Sequence, residues 1–257
     1  MERVAFGNTG LEVSRLCAGT GTHGWAGRSD QTALGVEGLA RLLRRAFDAG
    51  VTFWDAADQY GSHPHVARAL ESVPRDEVVI STKTVARTQT EATRALTRFR
   101  RELGTDVLDI VMLHCMSSEG WPVSHAGAME ALARAKERGE VRAVGISSHG
   151  LGALHTAAKS EWVDVVLVRL NHSGVNMDGS LEEVLEAVRR LGEADKAIYA
   201  MKVLGCGALG GNPREAFEFI KNVSDVHSFT VGMTSEDELD ENVRLVEEID
   251  PRIRRSA

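Results

Sequence analysis

The chain has 257 residues, 43% of them hydrophobic, enough for one sizeable core, and its composition excludes disorder, collagen and a disulfide scaffold. A formal net charge of −7 argues against a nucleic-acid partner, because binding a polyanion needs a concentrated basic face. The start MERVAFGNTG lacks the apolar stretch of a signal peptide, and no segment approaches the roughly 20 apolar residues of a membrane span, so no membrane partner and a cytoplasmic location are expected.

In chain order, Val4 to Phe6 and Leu11 to Val13 flank Gly7, Asn8, Thr9 and Gly10, which predicts a small hairpin. Eight strand-like runs follow: Leu16 to Gly19, Val51 to Asp55, Val78 to Lys83, Leu108 to His114, Ala143 to Ser147, Val163 to Leu170, Ala197 to Val203 and Phe229 to Gly232. Between them lie stretches with helical spacing, among them Leu39 to Ala49, Glu91 to Leu103, Ala126 to Arg138 and Leu181 to Leu191, and a last one runs from Ser235 to Ile249. Strands apolar on both faces and joined by helical crossovers mean a parallel sheet covered by helices. Eight repeats at this length fit an α/β fold of the closed (β/α)8 TIM-barrel kind with an N-terminal β-hairpin placed to plug it; a doubly wound open sheet is the alternative. No linker or composition shift divides residues 1–257, which read as a single domain.

The arginine clusters at Arg41, Arg44 and Arg45 and at Arg98, Arg100 and Arg101 read as solvated helix faces. Cys17, Cys115 and Cys206 are odd in number and sit in or beside apolar runs, as buried thiols of a reducing compartment do. His63 and His65 lack a third ligand of fitting spacing, so no metal is expected.

Gly19, Gly21 and Gly24 spell G-x-G-x-x-G after a strand, which in isolation suggests a Rossmann phosphate loop. Helical spacing begins only near Val36, and no acid stands at the ribose position, so the glycines are read instead as a flexible first loop at a barrel mouth.

A TIM barrel keeps its reactive groups at the C-terminal ends of its strands. Here the second strand ends in Asp55 and is followed by Tyr60, the third ends in Lys83 and the fourth in His114. An acid, a phenol, an amine and an imidazole therefore converge from three neighbouring strands. A neighbouring Lys83 ammonium is expected to lower the phenol from about 10, and Asp55 to pair with Lys83. Taken singly, each has a bland reading: a structural ion pair, a satisfied histidine, a packed aromatic.

Through GVTFWDAADQYGS (Gly50 to Ser62), ISTK (Ile80 to Lys83) and LDIVMLH (Leu108 to His114), the chain resembles the aldo/keto reductase superfamily. The likeness extends from FGNTGLEVSRL through EVRAVGIS to TSEDELDENV, and MKVLGCGAL (Met201 to Leu209) is similar to a short prokaryotic subgroup. It implies Tyr60, Asp55, Lys83 and His114 as catalytic tetrad, NAD(P)H as cofactor, and a small carbonyl substrate, whether aldehyde, ketone or aldose; hydride arriving at the carbonyl carbon would leave charge on oxygen, with Tyr60 the candidate proton donor and a neutral His114 expected to orient that oxygen. It further implies a cofactor-binding set of Gly21, Thr22, Asp55, Ser147, Ser148, Asn171, Met201, Lys202, Leu204, Gly232, Thr234, Glu238, Glu241 and Asn242. Ser148 stands where the family has asparagine, Leu167 where it has glutamine, and Met201 where an aromatic stacks on the nicotinamide; Asn171 and Lys202 are close enough in sequence to compensate.

Basic residues that hold the 2′-phosphate in NADP-dependent relatives are replaced by the stretch Gly232 to Glu238, which is acidic and points to NADH; Arg244 or Lys221 remain as alternative phosphate partners. Ser235 and Glu238 also have capping-box spacing, so the acids suit the helix start in any case. Trp25 and Trp121, with Tyr60 and His114, are the expected substrate-pocket residues, while strand alternation turns Trp54 toward the core. A lyase or dehydratase, or a nucleotide-binding regulatory subunit, built on the same barrel are the alternative functions.

Overall fold

The computed structural model describes residues 1–249. Strands β1 (Arg3–Ala5) and β2 (Glu12–Ser14) form the antiparallel hairpin, with Val4 opposite Val13. Eight further strands, β3 (Leu16–Gly19), β4 (Phe53–Asp55), β5 (Val79–Thr84), β6 (Leu108–Met116), β7 (Val141–Ser148), β8 (Val165–Arg169), β9 (Ala197–Met201) and β10 (Ser228–Gly232), pair in parallel. Because β10 also pairs with β3, the sheet closes into a barrel, and the open-sheet alternative does not apply.

The outer helices are α1 (Gly35–Asp48), α2 (His63–Leu70), α3 (Gln89–Leu103), α4 (Trp121–Ser124), α5 (Ala126–Glu137), α6 (Leu151–Lys159), α7 (Leu181–Glu193), α8 (Pro213–Lys221) and α9 (Glu236–Ile249). Helices α2, α4, α6 and α8 are absent from the stretches singled out by spacing. All four are short, four to nine residues, and in α6 (LGALHTAAK) small residues also weaken the amphipathic signal. Strand β9 stops at Met201, short of the expected Val203, because Lys202 takes a left-handed backbone (φ 62°) that turns the chain out of the sheet.

Two apolar layers result, and strand parity decides which side chain joins which. Phe53, Val79, Ile110, Met112, Val165, Leu167, Ala197 and Tyr199 fill the barrel interior, where Phe6 from the hairpin connection closes one end. Trp54, Ile80, Val111, Val166 and Ile198 point the other way, into the layer beneath the helices. Trp54 accordingly is core, its indole N–H donating to the Val51 carbonyl (3.0 Å). Following the interior parity by two residues reaches Asp55 from Phe53, Lys83 from Ser81 and His114 from Met112, so these three polar groups face inward at the C-terminal mouth. No helix among the described residues is long and apolar enough to cross a membrane.

Candidate active site

Asp55 and Lys83 are both buried, and the Lys83 ammonium donates to Asp55 Oδ1 and to the Ala56 carbonyl (2.9 Å). A buried ion pair is tolerated only when the remaining polar atoms are also satisfied, and Asp55 Oδ2 accepts from the Tyr199 hydroxyl at 2.9 Å. Lys83 Nζ lies 4.9 Å from the centroid of the Tyr60 ring. The Tyr60 hydroxyl is 3.4 Å from His114 Nε2, and their rings meet edge to face. All four residues named from the strand ends therefore converge.

Tyr60 closes a 3-10 turn, Asp58–Tyr60, that is tied down from outside the barrel by Arg98 of α3, which holds both Asp58 carboxylate oxygens (2.7 and 2.8 Å). Its ring lies beneath the first loop. A Cβ on Gly21 would stand 2.2 Å from Tyr60 Cε2 and one on Gly24 2.4 Å from Cδ1, so the loop backbone can approach the ring only because both residues lack a side chain. The G-x-G-x-x-G pattern thus includes two glycines that cradle an aromatic ring. Nor does this loop stand free, since the Ser29 hydroxyl donates to Thr20 O and the Gln31 side chain holds Thr22.

Burial pushes the Tyr60 phenol well above its ordinary value, and Asp55 and Cys115 add to the shift. This reverses the lowering expected from the ammonium, because desolvation of a phenolate here outweighs the attraction of a lysine already paired with Asp55. His114 is held well below the ordinary imidazole value by burial and by Lys83, His149 and Lys202, so it is neutral at pH 7. Its Nδ1 is buried without a partner, leaving Nε2, the atom facing Tyr60, as its working nitrogen.

From Asp55 and Tyr60 a cavity of about 350 Å³ runs past Leu167, Met201, Lys202 and Leu204 to Gly232, Thr234, Glu238, Glu241 and Asn242 at the start of α9. Gly21 and Thr22 line it too, as do His23, Gln31, Cys206 and Thr230, which spacing did not single out. The Thr230 hydroxyl is buried without a partner, and a Cβ on Gly232 would stand 2.1 Å from Thr22 Oγ1. An elongated groove with an apolar floor at Leu167 and Met201, an unmatched hydroxyl and a helix start at its far end fits a dinucleotide.

Seven sequence-derived positions do not line this cavity: Lys83 and His114 of the tetrad, and the five that follow. The Ser147 hydroxyl accepts from the Cys115 N–H (2.8 Å), pinning the β-bulge where Cys115 takes φ 64°, and the Ser148 hydroxyl turns back to the Gly150 carbonyl (3.0 Å). Asn171 spends its amide on the backbone of Ser173, Val175 and Lys202, so it does not reach the cavity as a substitute contact. Trp121 is 1% exposed and packs on Trp162, so it is core of the helical layer, whereas Trp25 is 60% exposed and outside the cavity lining. Neither lines this cavity.

At α9, Glu236 and Asp240 pair with Arg45 of α1, which accounts for part of the acidic run structurally. Glu238 and Glu241 face the cavity, and the Glu238 carboxylate accepts from Thr234 N (2.7 Å) and Oγ1 (3.1 Å). Arg244 is paired with Glu248, and Lys221 donates to the Val246 carbonyl. Beyond the tetrad, Cys115 Sγ lies 3.6 Å from His149 Nε2, whose other nitrogen accepts from Arg169. Burial and Arg169 hold His149 at about 4. Among the described residues, no group of three His, Cys, Asp or Glu side chains is placed to hold a metal.

The sequence profile of the aldo/keto reductase family matches residues 15–249. A D-threo-aldose 1-dehydrogenase from a Pseudomonas species is 26% identical over 201 residues, 65% of this chain; the chain spans 60% of that relative's length. An L-galactose dehydrogenase from Arabidopsis thaliana is 25% identical across 97% of this chain and 89% of its own. The fold matches a crystal structure of a Pseudomonas aeruginosa aldo-keto reductase with a TM-score of 0.81 at 23% identity, covering 96% of this chain and 95% of the other. With the barrel, the convergent tetrad and the profile match in agreement, the chain belongs to the aldo/keto reductase family.

Proposed function

We propose that this protein is an NAD(P)H-dependent oxidoreductase that interconverts a small carbonyl compound and its alcohol. The observation that carries the reading is the meeting of the Tyr60 hydroxyl and His114 Nε2, 3.4 Å apart above a buried Lys83–Asp55 pair, with Tyr60 and Asp55 lining a cavity that reaches the start of α9. Leu167, Met201, Lys202, Leu204 and the first turn of α9 would hold the cofactor, which when bound supplies the hydride. Tyr60 gives its proton to the substrate oxygen, and neutral His114 orients that oxygen through Nε2. Lys83 provides the positive charge beneath the phenol that eases departure of its proton. The two sugar-dehydrogenase relatives are named for oxidising a sugar, which favours an aldose on the alcohol side of the interconversion, its C1 hemiacetal giving up the hydride.

NADH is the preferred cofactor in this reading. Glu238 and Glu241 face the cavity where a 2′-phosphate would need cations, and Arg244 is engaged by Glu248. Losing a charge-assisted hydrogen bond of about 1.5–3 kcal/mol weakens NADPH by roughly tenfold or more. The test titrates purified protein with NADH and then NADPH, and follows absorbance of the reduced nicotinamide against aldehydes, ketones and aldoses. One cofactor oxidised per alcohol formed, lost in Tyr60→Phe while cofactor binding persists, is expected. Product without net cofactor consumption, or turnover unchanged in Tyr60→Phe, would overturn the reading, and tighter NADPH binding would overturn the preference.

A further inference from the structure

Asp55 is satisfied by a residue that no motif announces. Tyr199 lies in the middle of β9, a strand that does not neighbour β4, so its contact with Asp55 crosses the barrel interior. Its ring is completely buried and wedged between Phe6 and Phe53, with centroids at 6.0 and 5.1 Å. An aromatic in that place needs no hydroxyl for packing, and a buried phenol is costly unless its O–H finds a partner. Here it finds two. The carboxylate can only accept, so the Tyr199 O–H donates to Asp55 Oδ2, and the Ser81 hydroxyl, 2.9 Å away on β5, donates to the Tyr199 oxygen. Ser81 is the register partner of Asp55, which closes the arrangement into a chain from Ser81 through Tyr199 and Asp55 to Lys83.

We propose that Tyr199 is a positioning residue for the reaction, its hydroxyl and the Ser81 hydroxyl behind it fixing the Asp55 carboxylate so that Lys83 stays aimed at Tyr60. The proposal rests on the reading of Tyr60 as proton donor. With one oxygen given to Lys83 and the other to Tyr199, the carboxylate has a single orientation; without the phenol it can rotate and take the ammonium with it. Burial holds the Tyr199 phenol well above its ordinary value, so it remains a donor at every working pH.

The chain contains two tyrosines, which makes the test direct. Full-length protein carrying tyrosine labelled with carbon-13 at Cζ gives two resonances, and Tyr60→Phe assigns them. Tyr199→Phe keeps the ring and removes the hydroxyl. Expected are a kcat lower by about tenfold to a hundredfold, with substrate KM and the dissociation constant of the reduced cofactor within about twofold, and a displaced Tyr60 resonance in the cofactor-free protein. Ser81→Ala, in which Tyr199 still donates, gives a smaller change of the same kind and serves if Tyr199→Phe does not fold. An unmoved Tyr60 resonance, or a loss confined to KM or melting temperature, overturns the proposal, since a hydroxyl needed only for folding leaves Tyr60 untouched. If the wild-type chain reduces no carbonyl compound, the functional reading fails while the resonance still reports on Tyr199.

Discussion

Tyr60 is squeezed from two sides, by the backbone of Gly21 and Gly24 above and by the Lys83 ammonium below. Gly24→Ala forces its methyl into the ring, an overpacking cost of about 1–3 kcal/mol that displaces the tyrosine from His114 or the loop from the ring. Kinetics and thermal melting on the same variant should show kcat down by roughly tenfold or more alongside a lower melting temperature. The raised phenol has a sign of its own. Tyr60 keeps its proton above the ordinary value near 10, so carbonyl reduction should not decline through phenol ionisation up to about that pH, whereas alcohol oxidation, which needs the phenolate, should be slow at neutrality and climb with pH. Rate profiles in both directions check this. The convergence of Asp55, Tyr60, Lys83 and His114 was legible because the last inward residue of a parallel strand must face the mouth, and an acid, an amine and an imidazole have few other reasons to stand there together. Tyr199 and Thr230 were not legible, because in a strand buried on both faces composition does not say which side is the interior.

The elements around the site act as mounts. Helix α3 begins with a capping box, Thr88 to Glu91 and back, and ends at Gly104 in a left-handed conformation. Between these stops it carries Arg98, which grips Asp58 two residues before Tyr60. Asp58→Asn, by weakening this bidentate pair, is expected to lower kcat by about threefold to tenfold with cofactor affinity preserved, as measured by steady-state kinetics and binding titration. Thr88→Ala serves as contrast, losing about 1 kcal/mol of stability in denaturant unfolding with kcat unchanged. On α9, Glu238→Gln removes a charge facing the cavity and should tighten NADPH more than NADH, read as the ratio of the two dissociation constants. The cap of α9 was legible from spacing: Glu238 N does donate to Ser235 Oγ (3.2 Å). The return bond falls one residue earlier, on Thr234 N, a shift that depends on how β10 delivers the chain and not on local spacing.

Across the whole molecule, burial sets the charge state of most histidines. His63, His65, His114, His125, His149 and His227 are all held below the ordinary imidazole value, burial being the largest cause in each. The unfolded chain therefore takes up protons below about pH 6.5 that the folded chain refuses. Stability is fully present above that value and is lost as the pH falls toward the folded values, His149 at about 4 among them. A melting temperature lower by about 5 °C or more at pH 5 than at pH 7, recorded by circular dichroism, is the expected outcome. The barrel itself was legible from the alternation of strands and helices, whereas the engagement of Ser147 at a bulge and of Trp121 by Trp162 depends on features that leave no periodic mark.

Phe6, Phe53 and Tyr199 stopper the interior below the Asp55–Lys83 pair, and the side chains of that pair are 5% and 0% exposed. The barrel is therefore a blind well. On the proposed function, a proton that Tyr60 gives to a substrate is replenished from the same mouth through which substrate arrives and product departs, so proton traffic and ligand traffic would share one doorway and take turns in it.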